Sequence, residues 1–200
     1  MTKPWQALAF ATVLSAGCAS SPVHYHTLVA APGRAGGAAS GPRYVVEIGP
    51  VLVPPQVDRP ELVVRRSDAQ TQALDNELWS APLADELSQA LFLDIQEELD
   101  HTGPAGAVDD QHTVRVRVRV ERFESEPGRL ASIEASWDVR VGHGRIDTGM
   151  ACRTVARESI DRGYEALVLG HQRAVRRLGE EIAKSVRQLL DSGRNDCRSG

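Results

Sequence analysis

Three stretches of the chain alternate apolar and polar residues with a period of two. Val114, Val116, Val118 and Val120 alternate with Arg115, Arg117, Arg119 and Glu121. Ala131, Ile133, Ala135, Trp137, Val139 and Val141 alternate with Ser132, Glu134, Ser136, Asp138 and Arg140. Ile146, Thr148, Met150, Cys152, Thr154 and Ala156 form a third set. This period puts one set on a buried sheet face and the other toward solvent. Pro127-Gly128 and Gly142-His143-Gly144-Arg145 supply turns between the three, which predicts an antiparallel meander. Pairing Phe123 with Leu130 sets Arg119 opposite Glu134 and Arg115 opposite Asp138. Pairing Val141 with Ile146 sets Glu134 opposite Arg153 and Arg140 opposite Asp147. Such cross-strand charge pairs contribute only about 0.2–1 kcal/mol each, but they help to fix register. They also favour a solvated, salt-bridged face over an anion-binding one for the arginine-rich first strand.

Two segments carry the helical period instead. Leu83, Leu87, Ala90, Leu91, Ile95 and Leu99 follow Pro82, with Asp85 and Glu86 placed to favour the N-terminal dipole. From Tyr164 to Leu190 a longer stripe runs through Tyr164, Leu167, Val168, His171, Val175, Leu178, Ile182, Val186 and Leu189. His171 reads as a core or rim histidine. Upstream, Val45–Val53 is rich in β-branched residues and reads as a strand that Pro54-Pro55 must end, since proline cannot donate to a ladder. Pro60 fixes its own φ and pushes Arg59 out of the helical region, so Asp58-Arg59-Pro60 is a turn before Leu62–Arg65 resumes extended structure. Val23–Leu28 suits a short strand, and Ser67–Ser80 shows no strong period and reads as a loop carrying Trp79. The sum is an α/β (α+β) domain: a single mixed or antiparallel sheet of about five strands packed with two main helices.

The chain's 200 residues allow one ordinary domain plus tails. Aromatics are 4% of the chain, so the core is mainly aliphatic, and a net charge of −4 argues against a nucleic-acid partner. Residues 1–17 carry a basic residue, Lys3, then the apolar run Trp5–Ala16 and then small residues, the layout of a secretory signal too short to span a bilayer. Ser15-Ala16-Gly17-Cys18 resembles a bacterial lipobox, with Ser15 where leucine is usual and Leu14 one place further back. Cys18 is thus the expected site of lipidation and the first residue of the mature chain, anchored to the membrane rather than spanning it. Ala19, rather than Asp, follows it and favours the outer membrane over inner-membrane retention. Residues 18–43, rich in Ala, Gly, Ser and Pro apart from Val23–Leu28, form a flexible tether. A domain follows over residues 44–190, then a polar tail over 191–200. With Cys18 spent on lipid, Cys152 and Cys197 remain. They form either a disulfide, which an oxidising compartment permits, or a buried thiol and a tail thiol.

No phosphate loop, zinc-ligand spacing or Gly-x-Ser-x-Gly elbow occurs. His24 and His26 alone do not close a coordination set, and Asp109-Asp110 reads as solvated loop. Neither catalytic residues nor a metal or cofactor are assigned.

The order of these elements resembles the paraquat-inducible protein C family, the auxiliary lipoproteins of ABC-type lipid transporters. The resemblance runs from about Val23 to Leu190. Its residues are Tyr25-x-Thr27-Leu28, Gly49-Pro50-Val51-x-Val53-Pro54, Val57-Asp58-Arg59-Pro60, Leu62-Val63, Trp79 with Pro82-Leu83, and the arginine-rich strand before Trp137. It implies a non-catalytic lipoprotein on the periplasmic face of the outer membrane. It further implies docking of a periplasmic MCE-domain partner, with Val57, Asp58, Arg59 and Pro60 as the candidate partner-facing turn. Homo-oligomerisation is left open. A peptidoglycan-binding or envelope-assembly lipoprotein and a periplasmic hydrolase are the alternatives. Cys18→Ala should leave uncleaved precursor and abolish labelling by radioactive palmitate, whereas normal processing and membrane fractionation of that variant would remove Cys18 as the anchor.

Overall fold

The computed structural model describes residues 21–31, 44–102, 112–143, 146–192 and 197. Cys18 therefore lies outside the described residues, as do Asp109 and Asp110. Seven strands and two helices follow in the order β1 (His24–His26), β2 (Tyr44–Ile48), β3 (Glu61–Ser67), β4 (Gln70–Trp79), α1 (Leu83–Thr102), β5 (His112–Glu126), β6 (Leu130–His143), β7 (Ile146–Ser159) and α2 (Tyr164–Ser192). The α+β class and the two main helices hold. The expected single sheet of about five strands does not: there are two sheets, one of three strands in the order β1-β4-β3 and one of four in the order β2-β5-β6-β7.

The difference arises upstream of the meander. Val45–Val53 is not one strand. β2 pairs in parallel with β5 as far as Ile48↔Val116, and Leu52 then makes a single parallel bridge to Arg119. Pro50 lacks an amide hydrogen, so the ladder cannot run through it. After Pro54 the chain leaves β5 altogether and enters β3, which pairs with β4 instead. The segment Ser67–Ser80, expected as a loop, is mostly β4, ten residues long. Its pairing shifts register between Glu61↔Leu78 and Val63↔Ala73, so an irregularity breaks the alternation that would have marked a strand. Leu74 and Trp79, its two buried apolar side chains, consequently have opposite parity.

The meander is present with a different register. β5 runs on to Glu126 and pairs it with Leu130, so Phe123 lies opposite Ile133 rather than Leu130. The turn is closed by the Arg129 amide donating to the Glu126 carbonyl at 3.0 Å, with Gly128 at φ 73°. That left-handed backbone suits glycine, which has no Cβ to clash. β6 and β7 likewise pair His143 with Ile146, two positions beyond the expected register. Arg115 therefore faces Arg140, while Arg117 faces Asp138 and binds it at 3.0 Å. Arg153 faces Ser136 but still forms an ion pair with Glu134, now diagonally, and with Glu121 at 3.3 Å.

The inward rows of the four-stranded sheet, including Val114, Val116, Val118, Ile133 and Val139, are buried under α2. Every apolar stripe residue of α2 from Leu167 to Leu189 is buried, and α1 packs beside α2 through Leu87, Leu91, Ile95 and Leu99. Close approach depends on glycines within α2. A Cβ on Gly170 would stand 2.4 Å from Ile160 Cγ2 and 3.0 Å from Ala131 Cβ, and one on Gly179 would stand 2.8 Å from Asp94 Cβ. Gly170→Ala gains helix propensity of about 1 kcal/mol but overpacks a buried contact, which costs typically about 1–3 kcal/mol. It should lower the melting temperature, and a variant melting at or above the wild type would show that α2 can move off the sheet freely.

Candidate functional site

The turn carrying Val57, Asp58, Arg59 and Pro60 begins where the chain leaves β5. The Val57 amide donates to the Pro54 carbonyl at 3.0 Å and the Arg59 amide to the Val57 carbonyl at 2.9 Å. The Pro60 carbonyl accepts from the Trp79 amide at 2.8 Å, which ties the turn to the end of β4. The four residues do not share one environment. Val57 is buried, so its side chain belongs to the core and is not partner-facing, while Asp58, Arg59 and Pro60 are exposed. Arg59 Nε donates to Glu61 Oε2 at 2.8 Å. That bond raises the Arg59 pKa, with Asp75 a minor contributor, and holds the Glu61 carboxyl below its usual range. The internal partner of Arg59 is therefore Glu61.

Beside the turn lies a cavity of about 310 Å³ between β3 and β5, lined by Val57, Val63, Arg65, Phe123, Glu124 and Ser125 among others. Arg65 spans this gap with two bonds to Glu124, Nε to Oε2 at 2.7 Å and Nη2 to Oε1 at 2.8 Å. The planar guanidinium fork suits such bidentate contact. Behind it, Trp79 meets Phe123 edge-on at 6.1 Å, and Phe123 stacks on His171 at 4.0 Å. His171 is fully buried, with Nε2 hydrogen-bonded to Ser125 Oγ at 2.8 Å and Nδ1 without a partner. Burial pushes its pKa down to about 3, so the ring is neutral at physiological pH. This Ser–His contact is sealed in the core, and so weak a base suits packing better than proton transfer.

Other groups escaped the sequence because their partners sit on β4 or on the helices. Glu77 accepts from His24 Nδ1 at 3.0 Å and His26 Nε2 at 2.5 Å on separate oxygens. Burial raises its pKa, but the two histidine bonds outweigh this and leave it lowered. Among the described residues, no group of three or more His, Cys, Asp or Glu is arranged to hold a metal ion. Buried Glu86 accepts from the Thr27 hydroxyl and the Leu28 amide, each at 2.7 Å, and Gln172 donates to the Thr27 carbonyl at 3.0 Å, so both helices hold the end of β1. The Asp94 carboxyl is pushed up to about 6 by burial, against the pull of Arg176. It stands at the α1–α2 crossing beside Gly179. A disulfide joins Cys152 to Cys197, with Cα atoms 5.7 Å apart. No described helix is long and apolar enough to cross a membrane.

The buried imidazole sets a pH dependence. With a folded pKa near 3 and an unfolded value near about 6.5, the unfolded chain takes the proton first. The contribution is fully present above about pH 6.5. It is lost by up to about 1.4 kcal/mol per unit as pH falls toward about 3. Denaturant titrations at pH 7, 5 and 4 should show a shallower acid loss for His171→Phe than for the wild type, and parallel profiles would contradict a buried neutral His171.

Among curated proteins none matches the chain. Solved structures share its fold, among them the following two. One is of an uncharacterised protein, 20% identical, covering 83% of this chain and 99% of its own with a TM-score of 0.57. The other is a Xanthomonas campestris protein of the DUF330 family, 15% identical, covering 86% and 99%, with a TM-score of 0.56. Residues 26–183, from the last residue of β1 deep into α2, match the family described as the ABC-type transport auxiliary lipoprotein component, and the chain belongs to that family.

Proposed function

We propose that this chain is a non-catalytic lipoprotein held to the periplasmic face of the outer membrane through Cys18, and that it docks a periplasmic MCE-domain partner in a lipid transport system. The observation that carries the reading is the family match over residues 26–183, joined to the lipobox-like run into Cys18. From Cys18 to His24 is six residues, which reach roughly 20 Å at full extension. An anchor there would hold β1, and the domain behind it, close to the membrane surface, so a partner crossing the periplasm would have to reach it. The exposed part of the turn, Asp58-Arg59-Pro60, is the docking element of this reading. Arg59 offers a planar donor fork to carboxylates or carbonyls in exchange for its exposed bond to Glu61.

Arg59→Glu should reduce recovery of a co-expressed MCE-domain protein in pull-downs while leaving the melting temperature unchanged, because an exposed ion pair contributes little to stability. A lower melting temperature with normal recovery would assign the turn to structure alone. Recovery of the wild type with sacculi rather than with the MCE-domain protein would replace the reading by peptidoglycan binding.

A further inference from the structure

Four strands end the two sheets, and the fold blunts three of them. β1 has three residues and β2 five, while β3 carries two register shifts. β7 is different. It runs for 14 residues as the outer strand of its sheet, pairs with β6 without a register shift, and contains neither proline nor lysine. Short length, bulges, proline and lysine are the usual means of keeping an edge from recruiting another strand. The one charge β7 turns inward, Glu158, is already engaged by Arg173 at 3.0 Å and Arg177 at 2.9 Å. Cys197 lies at the free edge, its sulfur 3.0 Å from the Ala151 carbonyl. Among the described residues, 153–159 pair with a strand on one side only, that of β6.

A hollow of about 480 Å³ lies along this edge between β7 and α2, walled by Trp137, Val155, Lys184, Ser185, Gln188 and Cys197 among others. Two cations on its rim stand apart from the ion pairs around it. Arg153 is engaged by Glu121 and Glu134, and Arg173 and Arg177 by Glu158, whereas neither Arg157 nor Lys184 has an ion-pair partner among the described residues; Glu181 is the one further acid lining the hollow. Val155, 43% exposed, is an apolar contact between Arg153 and Arg157 on the outer face.

We propose that the edge of β7 over residues 153–159 is a strand-addition site for an extended acidic segment of a partner protein. The segment's backbone would pair with β7. Alternate side chains would enter the hollow beside α2, and its carboxylates would meet Arg157 and Lys184. Main-chain hydrogen bonds supply affinity in this mode and side-chain pockets supply specificity. A second copy of β7 fits less well, because its outward residues Arg153, Val155 and Arg157 would bring no acid to Arg157 and Lys184. The site is separate from the Asp58-Arg59-Pro60 turn, so the two can succeed or fail independently.

The test uses the full-length protein in detergent and a fluorescent, capped heptapeptide of alternating Glu and Val. The peptide should bind by anisotropy, weaken as salt rises, and slow amide exchange in residues 153–159. Arg157→Glu should weaken it about tenfold, as expected when an attractive rim charge becomes repulsive, without changing the melting temperature. N-methylation of alternate peptide residues should abolish binding. Equal binding of a Lys–Val peptide, of the N-methylated peptide, or to Arg157→Glu would overturn the proposal. So would binding with no slowing of exchange in β7, or self-association of the protein that already protects those amides.

Discussion

The two sheets share no continuous ladder, and the row of rings Trp79, Phe123 and His171 joins them within one core. Trp79 ends β4 in the three-stranded sheet, Phe123 lies on β5 in the four-stranded sheet, and His171 is on α2. An edge-on contact followed by a stack therefore joins three elements in about 10 Å. The row requires an uncharged imidazole, since a cation there would be desolvated with one nitrogen unpartnered. Burial provides for this by lowering the pKa. Ser125, two residues along β5 from Phe123, fixes the ring's orientation through Nε2.

The parts of the fold that are legible in the sequence are those with an unbroken period. The α2 stripe and the valine rows of the meander are buried as their spacing requires, because each lies on one face of a regular element. β4 was hidden because its irregular pairing with β3 sets Leu74 and Trp79 on opposite parities, and most of its other residues are polar. The meander register slipped for a related reason. Alternation gives the face of each strand but not the length of the turn, and the Pro127-Gly128-Arg129 turn is tighter than the one assumed, with a further shift between Val120 and Arg122. Charge complementarity was the wrong arbiter of register. Arg153 reaches Glu134 across a diagonal, so a long guanidinium satisfies either alignment.

At the candidate turn, sequence spacing showed four residues in a row but not which of them point inward. Val57 could be separated from Asp58 and Arg59 only once β3 was known to peel away from β5. The same holds for Arg65, Glu124 and Glu77, whose partners are 50 or more residues distant in the chain and become neighbours only through the two-sheet arrangement.

Burial of Val57 bears on docking even though its side chain cannot touch a partner. The turn is held at one end by Val57 in the core and at the other by the Pro60 carbonyl on the Trp79 amide, with proline restricting the backbone between them. Asp58 and Arg59 are thus displayed from a short segment with few accessible conformations. A flexible loop would lose backbone freedom on binding, at a cost that subtracts directly from affinity, whereas this turn has already lost it on folding. The remaining freedom is in the Arg59 side chain, and its bond to exposed Glu61 is weak enough to be exchanged for a partner's carboxylate. A core residue, a backbone hydrogen bond and a proline together hold a small exposed surface in one backbone conformation, and they do so because the chain must turn there to pass from one sheet to the other.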